Sequence, residues 1–185
     1  MPHIQLPENV PGIRSLFVFS PETAKPLLLL AETLLRSPSS LTPGERELIA
    51  SYVSNLNSCK YCTRSHSAFA SEYLNGDTAI VEQVKANPAT APISEKLKAL
   101  LQIAGKVQKD ARTVAAADVE RALDCGATDT EIHDTVLIAA AFCMYNRYVD
   151  GLATWAPEDP EIYKTNAKRI KNEGYLNVAK ILSGS

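Results

Sequence analysis

Almost everywhere along this chain the apolar residues recur at three- and four-residue spacing, and no segment alternates convincingly with a period of two. That pattern belongs to helices with one buried face, so the expected fold class is all-α. After a Pro-rich lead, "PETAKPLLLLAETLLR" reads as a first helix, ended by "SPSS". Thr42-Pro43-Gly44-Glu45 has the form of a capping box with Pro at the first helical position. It starts a second helix near Pro43, with Leu48, Ile49, Tyr52, Val53 and Leu56 as its apolar stripe. A third helix runs from about Cys59 to Leu74 and stops at Asn75-Gly76.

Leu97, Leu100, Leu101, Ala104 and Val107 mark a further helix, and "TVAAADVERALDCG" gives another that ends at Gly126. Thr128-Asp129-Thr130-Glu131 repeats the capping-box form ahead of a long apolar helix through about Leu152, and "PEIYKTNAKRIKNEGYLNVAKIL" supplies a helical tail. With 185 residues, 45% of them apolar, the chain can bury a full core in one domain. The expectation is a single domain over 1–185, with a core motif at about 42–75, a second helical half at about 94–155 and a C-terminal helix at about 158–183. The two capping boxes stand 86 residues apart and hint at an internal duplication of weak identity.

The formal net charge is -2 and the sequence pI about 5.9, with Lys and Arg scattered. Neither nucleic acid nor an acidic membrane surface is an expected partner. The lead "MPHIQLPENVPGIRS" has no basic or apolar leader region, and no apolar run approaches the roughly 20 residues a spanning helix needs. A soluble, cytoplasmic protein is expected. Four cysteines are too few for a disulfide scaffold and would be kept reduced there, so any disulfide should be catalytic or transient.

The chemistry concentrates in "CKYCTRSH", Cys59 to His66. At 100° per residue Cys59, Cys62, His66, Phe69, Ala70 and Tyr73 share one side of the third helix, with Lys60, Arg64, Ser65, Ser67 and Glu72 opposite. One metal cannot easily use all three ligands: Cys59 and His66 are about 10 Å apart in helix rise, while ligands of one zinc lie about 3 to 4 Å apart. Cys62 with His66, completed by Cys125, Cys143 or His133, stays open as a metal set. Buried free cysteines also pack as small hydrophobes, which explains either thiol but not the pairing with His66.

A redox pair fits the spacing better, because residues three apart on a helix have Cβ atoms about 5 to 6 Å apart, within reach of a disulfide after modest adjustment. The helix N-terminus favours a thiolate at Cys59, and the imidazole four residues on favours one at Cys62. Glu47 lies opposite the apolar stripe of its helix, in line with Ser51, Ser54 and Ser58, where a carboxylate is ordinarily solvated. Those small residues would also admit a closely packed neighbour, and the short turn "NLNS" makes the cysteine helix the nearest in sequence. His133, in an early turn of its helix, reads as surface or interface, and Cys125 and Cys143 as packing thiols.

"ERELIASYVSNLNSCKYCTRSHSAFA" resembles the core motif of the alkylhydroperoxidase D and carboxymuconolactone decarboxylase superfamily, a glutamate twelve residues before a CxxC that is followed by xxxH. The lead "PGIRSLFVFSPETAKPL", the later "GATDTEIHDTVLIAAAFCMYNRYVDGL" and the closing "EGY" resemble its peroxidase-related branch. The resemblance implies a thiol peroxidase without metal, flavin or other cofactor. Cys62 would attack the hydroperoxide, Cys59 would resolve the sulfenic acid, Glu47 and His66 would relay the proton, and an external dithiol would restore the enzyme.

It also implies a homo-oligomer, whether dimer, trimer or hexamer. Tyr61 departs from the histidine often found just before the second cysteine in the family. Decarboxylases of the superfamily lack the cysteine pair, which argues against that activity. Asn146 and Arg147 recur in the family, and a buried polar contact or a subunit interface would explain them as well as a site. Two rival readings remain: an oxidoreductase of protein or small-molecule disulfides, and a non-catalytic helical oligomer that senses oxidation.

Overall fold

The computed structural model describes residues 1–177 and is all-α, with no strand among them. The helices are α1 (Ile13–Phe19), α2 (Pro21–Arg36), α3 (Pro43–Leu56), α4 (Lys60–Tyr73), α5 (Thr78–Ala86), α6 (Glu95–Asp110), α7 (Ala116–Asp124), α8 (Asp129–Gly151) and α9 (Pro160–Glu173). No helix among the described residues is long and apolar enough to cross a membrane. Both expected capping boxes form: Thr42 and Glu45 exchange side-chain and backbone bonds at the start of α3, and Thr128 and Glu131 do so at the start of α8.

Helix α3 is the centre of the molecule. It packs along α4 and meets α8, α6 and α5, while α9 covers the other side of α4 and α6 and α8 pack together. The main core runs from Leu28 and Leu35 of α2 through Leu48, Ile49 and Val53 of α3 to Leu100, Ile103, Ile138 and Phe142. A smaller cluster of Cys59, Tyr61, Cys62, Val149 and Tyr163 lies apart from it.

Three expectations need correction. The C-terminal helix does not run continuously over 158–183. It ends at Glu173, because Gly174 turns the backbone to φ 79 where a Cβ would strike the Glu32 carboxylate at 2.7 Å; the part beyond 177 lies outside the described residues. The cysteine helix starts at Lys60, with Cys59 as an extended N-cap residue. Leu56, assigned to the α3 stripe, is exposed, whereas Glu47 and Ser65, assigned to polar faces, are buried. Helix α3 is covered nearly all round, so its polar side faces protein and not water.

The sequence reading also left α1 and α5 unassigned. Asp77 caps α5 by accepting from the Ile80 N–H, a start signal that was present in the chain.

Candidate active site

The turn between α3 and α4 sets the site. Ser58 takes the left-handed conformation at φ 59, its N–H bonds the Asn55 carbonyl, and the Cys59 N–H reaches back to the Ser54 carbonyl. This Schellman-type closure reverses the chain within three residues and delivers Cys59 to the start of α4. Cys62 follows in the first turn, where backbone N–H groups point along the axis without helical partners. His66 comes one turn later.

Helix α3 presents Glu47 to that turn. The carboxylate is fully buried and has two partners: Oε2 lies 2.7 Å from His66 Nδ1, and Oε1 accepts the Tyr175 hydroxyl at 2.6 Å. A carboxylate only accepts, so Nδ1 is the donor in this bond and Nε2 is the ring nitrogen left for other partners. Burial, and then the charge of Glu47, push the Tyr175 hydroxyl well above its usual range, which keeps it a donor. Edges and faces of Phe69 and Phe142 box the imidazole, with ring centroids at 5.1 and 4.5 Å. Beside this group the Ser51 and Ser67 hydroxyls bond each other at 2.8 Å, so the small residues of α3 let α4 approach closely.

The thiols occupy the separate cluster. Cys59 is fully buried and Cys62 nearly so, both as free thiols. Interaction with the Cys62 thiol, followed by burial, pushes the Cys59 thiol far above its usual range, and the Asp150 carboxylate acts in the same direction. Among the described residues no hydrogen bond joins His66 to either sulfur. No group of three His, Cys, Asp or Glu side chains there is disposed to hold a metal ion.

Two loops cover the sulfurs. Tyr61 lies against Gly12, whose φ of 56 and 2.3 Å clearance leave no space for a Cβ, and the Gly12 N–H bonds the Trp155 carbonyl. Ala156 packs on the cluster, and the chain after it is tied down by three groups. Arg64 and the Tyr163 hydroxyl both donate to the Pro157 carbonyl, and Lys60 and Arg64 pair with Glu158. Tyr61 therefore stands as part of the cover. Behind it lies a cavity of about 70 Å³ with His66, Tyr175, Tyr61 and Phe69 in its wall. Neither sulfur lines it.

The four expected site residues thus form two adjacent groups, Cys59 with Cys62 and Glu47 with His66. The sequence reading took Tyr175 only as part of the closing "EGY" and gave it no role in the site. Asn146 is a structural tie: it accepts from Asn57, donates to the Ser54 hydroxyl and braces the α3 end against α8. Arg147 is exposed and bonds the Cys143 carbonyl within its own helix. His133 is exposed beside Asp134, as expected, and Cys125 and Cys143 pack at the edge of the main core.

Known proteins are similar to this chain in sequence segment and in fold. Residues 21–82, which span α2, α3 and α4, match the carboxymuconolactone decarboxylase family. An alkylhydroperoxidase AhpD core, peroxidase-related protein from Ralstonia eutropha JMP134 superposes with a TM-score of 0.76 at 27% identity, covering 83% of this chain and 81% of its own. A peroxidase-related protein from Silicibacter sp. TM1040 gives 0.75 at 28%, over 84% and 79%. A protein of unknown function from Agrobacterium tumefaciens, at 22% identity and a TM-score of 0.68 over 78% and 97%, shares the fold. Curated proteins include no match to the sequence. Motif, fold and matched segment coincide on helices α3 and α4, and the chain is similar there to the carboxymuconolactone decarboxylase family and, in fold, to peroxidase-related proteins with an alkylhydroperoxidase AhpD core.

Proposed function

We propose that the protein is a thiol peroxidase that reduces organic hydroperoxides with the Cys59/Cys62 pair. The observation that carries this reading is the buried Glu47–His66 pair at 2.7 Å, one helical turn from Cys62 in a site with two free thiols. Glu47 fixes the imidazole with Nε2 as base, and His66 takes the Cys62 proton directly or through one water. The thiolate attacks the outer peroxide oxygen, the O–O bond breaks, and Cys62 becomes a sulfenic acid. The departing alkoxide takes the proton from the imidazolium and leaves as an alcohol.

Cys59, still protonated, then supplies its sulfur: an S–S bond forms, the sulfenic hydroxyl leaves with the thiol proton as water, and an external dithiol later reduces the disulfide by exchange. Glu47 and Tyr175 position the base and stay outside the bond changes. Metal and flavin have no part in these steps. The chain works as a homo-oligomer in this reading.

The depth of both sulfurs favours a small peroxide over a protein disulfide as oxidant, because a disulfide partner must bring its own sulfur into line with the attacked one. The test is single-turnover oxidation of the reduced protein with tert-butyl hydroperoxide, followed by thiol counting and peptide mapping. Loss of two thiols as a Cys59–Cys62 bond, with Cys125 and Cys143 free, is expected. A principal disulfide through Cys125 or Cys143, or no thiol loss, would refute the reading.

A further inference from the structure

The cavity beside His66 contains two cations that nothing else in the site uses. Arg14 of α1 and Arg169 of α9 both line it, together with the apolar side chains of Phe17, Leu28 and Ile170. The Nε atom of each is buried without a hydrogen-bond partner. Among the described residues Arg14 makes no hydrogen bond or ion pair at all, and Arg169 makes one bond, from Nη2 to the neutral amide oxygen of Asn166 at 3.0 Å.

Three other arginines have acidic partners, Arg36 with Glu32, Arg64 with Glu158 and Arg112 with Asp110. The Nε of Arg46 is also buried without a partner, but its Nη1 donates to the Leu34 and Ser37 carbonyls and it lies outside this cavity. Burial, and then the like charge of Arg14, pull the Arg169 guanidinium below its usual range. Glu173 offsets this in part, but its carboxylate takes the Asn177 amide and forms no ion pair with Arg169. Two guanidiniums, partly desolvated and mutually repelling, are costly unless an anion joins them.

We propose that this cavity is the substrate's anion subsite: Arg14 and Arg169 together hold the carboxylate of a short organic hydroperoxide, with its apolar body toward His66. Forked guanidinium donors match the two oxygens of a carboxylate, and one such group would satisfy both stranded Nε–H bonds or their neighbours. The apolar wall suits a small hydrocarbon body, and the space of about 70 Å³ is open on one side, so part of a ligand held here can extend out of it. Tyr61 and Ile13 belong both to this cavity wall and to the cluster around the sulfurs, so a peroxide anchored here lies against the cover of Cys62. The proposal rests on the peroxidase reading for the reactive end of the ligand, but the anion site can be read without any turnover.

The experiment is a titration of the reduced full chain with pivalate and with the uncharged pivalamide, followed through the His66 ring signals by NMR. Pivalate should shift them and bind at least about tenfold tighter than the amide. Arg14→Gln and Arg169→Gln should each weaken pivalate about tenfold or more, the Lys variants should fall between, and the surface variant Arg112→Gln should bind as the wild type does. Equal affinity for acid and amide, or unchanged pivalate binding in both Gln variants, would overturn the proposal.

A kinetic arm separates the two readings. The rate of Cys62 oxidation by tert-butyl hydroperoxide is compared with that by its analogue carrying a carboxyethyl group in place of one methyl. The charged peroxide should react faster, and that ratio should collapse toward one in either Gln variant. Failure of both peroxides to oxidise Cys62 would refute the peroxidase reading while the pivalate result still judges the subsite.

Discussion

Helix α4 carries two chemically opposite regions one turn apart. On one side Cys59 and Cys62 are packed with Val149, Tyr163 and Tyr61 under two loops, without a charged partner in contact other than Asp150. On the other, His66 makes a short bond to a buried carboxylate and opens on a cavity with two guanidiniums. The contrast assigns different tasks. Interaction with Cys62 and then burial hold the Cys59 thiol above its usual range, while the buried carboxylate next door pairs with His66; in the proposed reaction the two regions communicate through His66.

Cutting that communication should produce the largest effect. His66→Ala and Glu47→Gln are expected to slow peroxide oxidation of the dithiol by about 10²- to 10⁴-fold and to raise the pH at which it becomes fast, as loss of a general base does. Stopped-flow oxidation against pH checks this; unchanged profiles in both variants would mean that the two regions act independently. Glu47→Ala should in addition destabilise the fold, because it strands the buried Tyr175 hydroxyl and the His66 Nδ1–H, at about 1–3 kcal/mol for each unmet group. Chemical denaturation would measure it.

A smaller effect is expected from Tyr175→Phe. The ring still packs, but Glu47 Oε1 loses its donor at 2.6 Å in a dry site. A cost of about 1–3 kcal/mol in stability should appear with a slower oxidation than wild type, though faster than in His66→Ala. If oxidation were untouched while stability fell, Tyr175 would be a packing residue and the relay would be only Glu47 with His66.

How much of this was legible in the sequence follows the range of the interactions. The approach of Cys59 to Cys62 and the place of His66 one turn after Cys62 follow from local spacing, and both capping boxes act within four residues, so the sequence was enough for these. Glu47 was harder. Its face looks solvated in a helical projection because Ser51 and Ser54 are polar, and only packing of α4 against those small residues turns the face inward. Tyr175 comes from 128 residues away along the chain, placed by the break at Gly174, and no local pattern distinguishes a helix that continues from one that turns its next residue into a core. Arg14 and Arg169 meet only because α1 and α9 both line the cavity beside α4.

The protonated state of Cys59 gives a pH effect of definite sign. Its thiol is raised in the folded state by Cys62 and by burial, with Asp150 adding to the shift. The unfolded thiol titrates near about 8.5, so the stabilisation is fully present below that pH and is lost as pH rises toward the folded value. Denaturation midpoints of the reduced protein should fall between about pH 8 and pH 10, and Cys59→Ser should flatten the fall. A midpoint that rises with pH in the reduced wild type would contradict the assignment.

The least effect belongs to the cover. Glu158 is exposed, and its pairs with Lys60 and Arg64 are screened by solvent and should contribute little. Glu158→Gln should therefore raise the alkylation rate of the dithiol by at most a few-fold, a change that high salt would mimic in the wild type.

The central claim is that Cys62 attacks while Cys59 waits as a protonated thiol, and trapping the first oxidation product tests it most directly. Reduced Cys59→Ser and Cys62→Ser are each mixed with one equivalent of tert-butyl hydroperoxide in the presence of a sulfenic-acid trap, and the product is read by mass spectrometry. The account predicts a rapid adduct at position 62 in Cys59→Ser and slow, poorly trapped oxidation in Cys62→Ser. A rapid adduct at position 59 in Cys62→Ser, with Cys59→Ser inert, would contradict it.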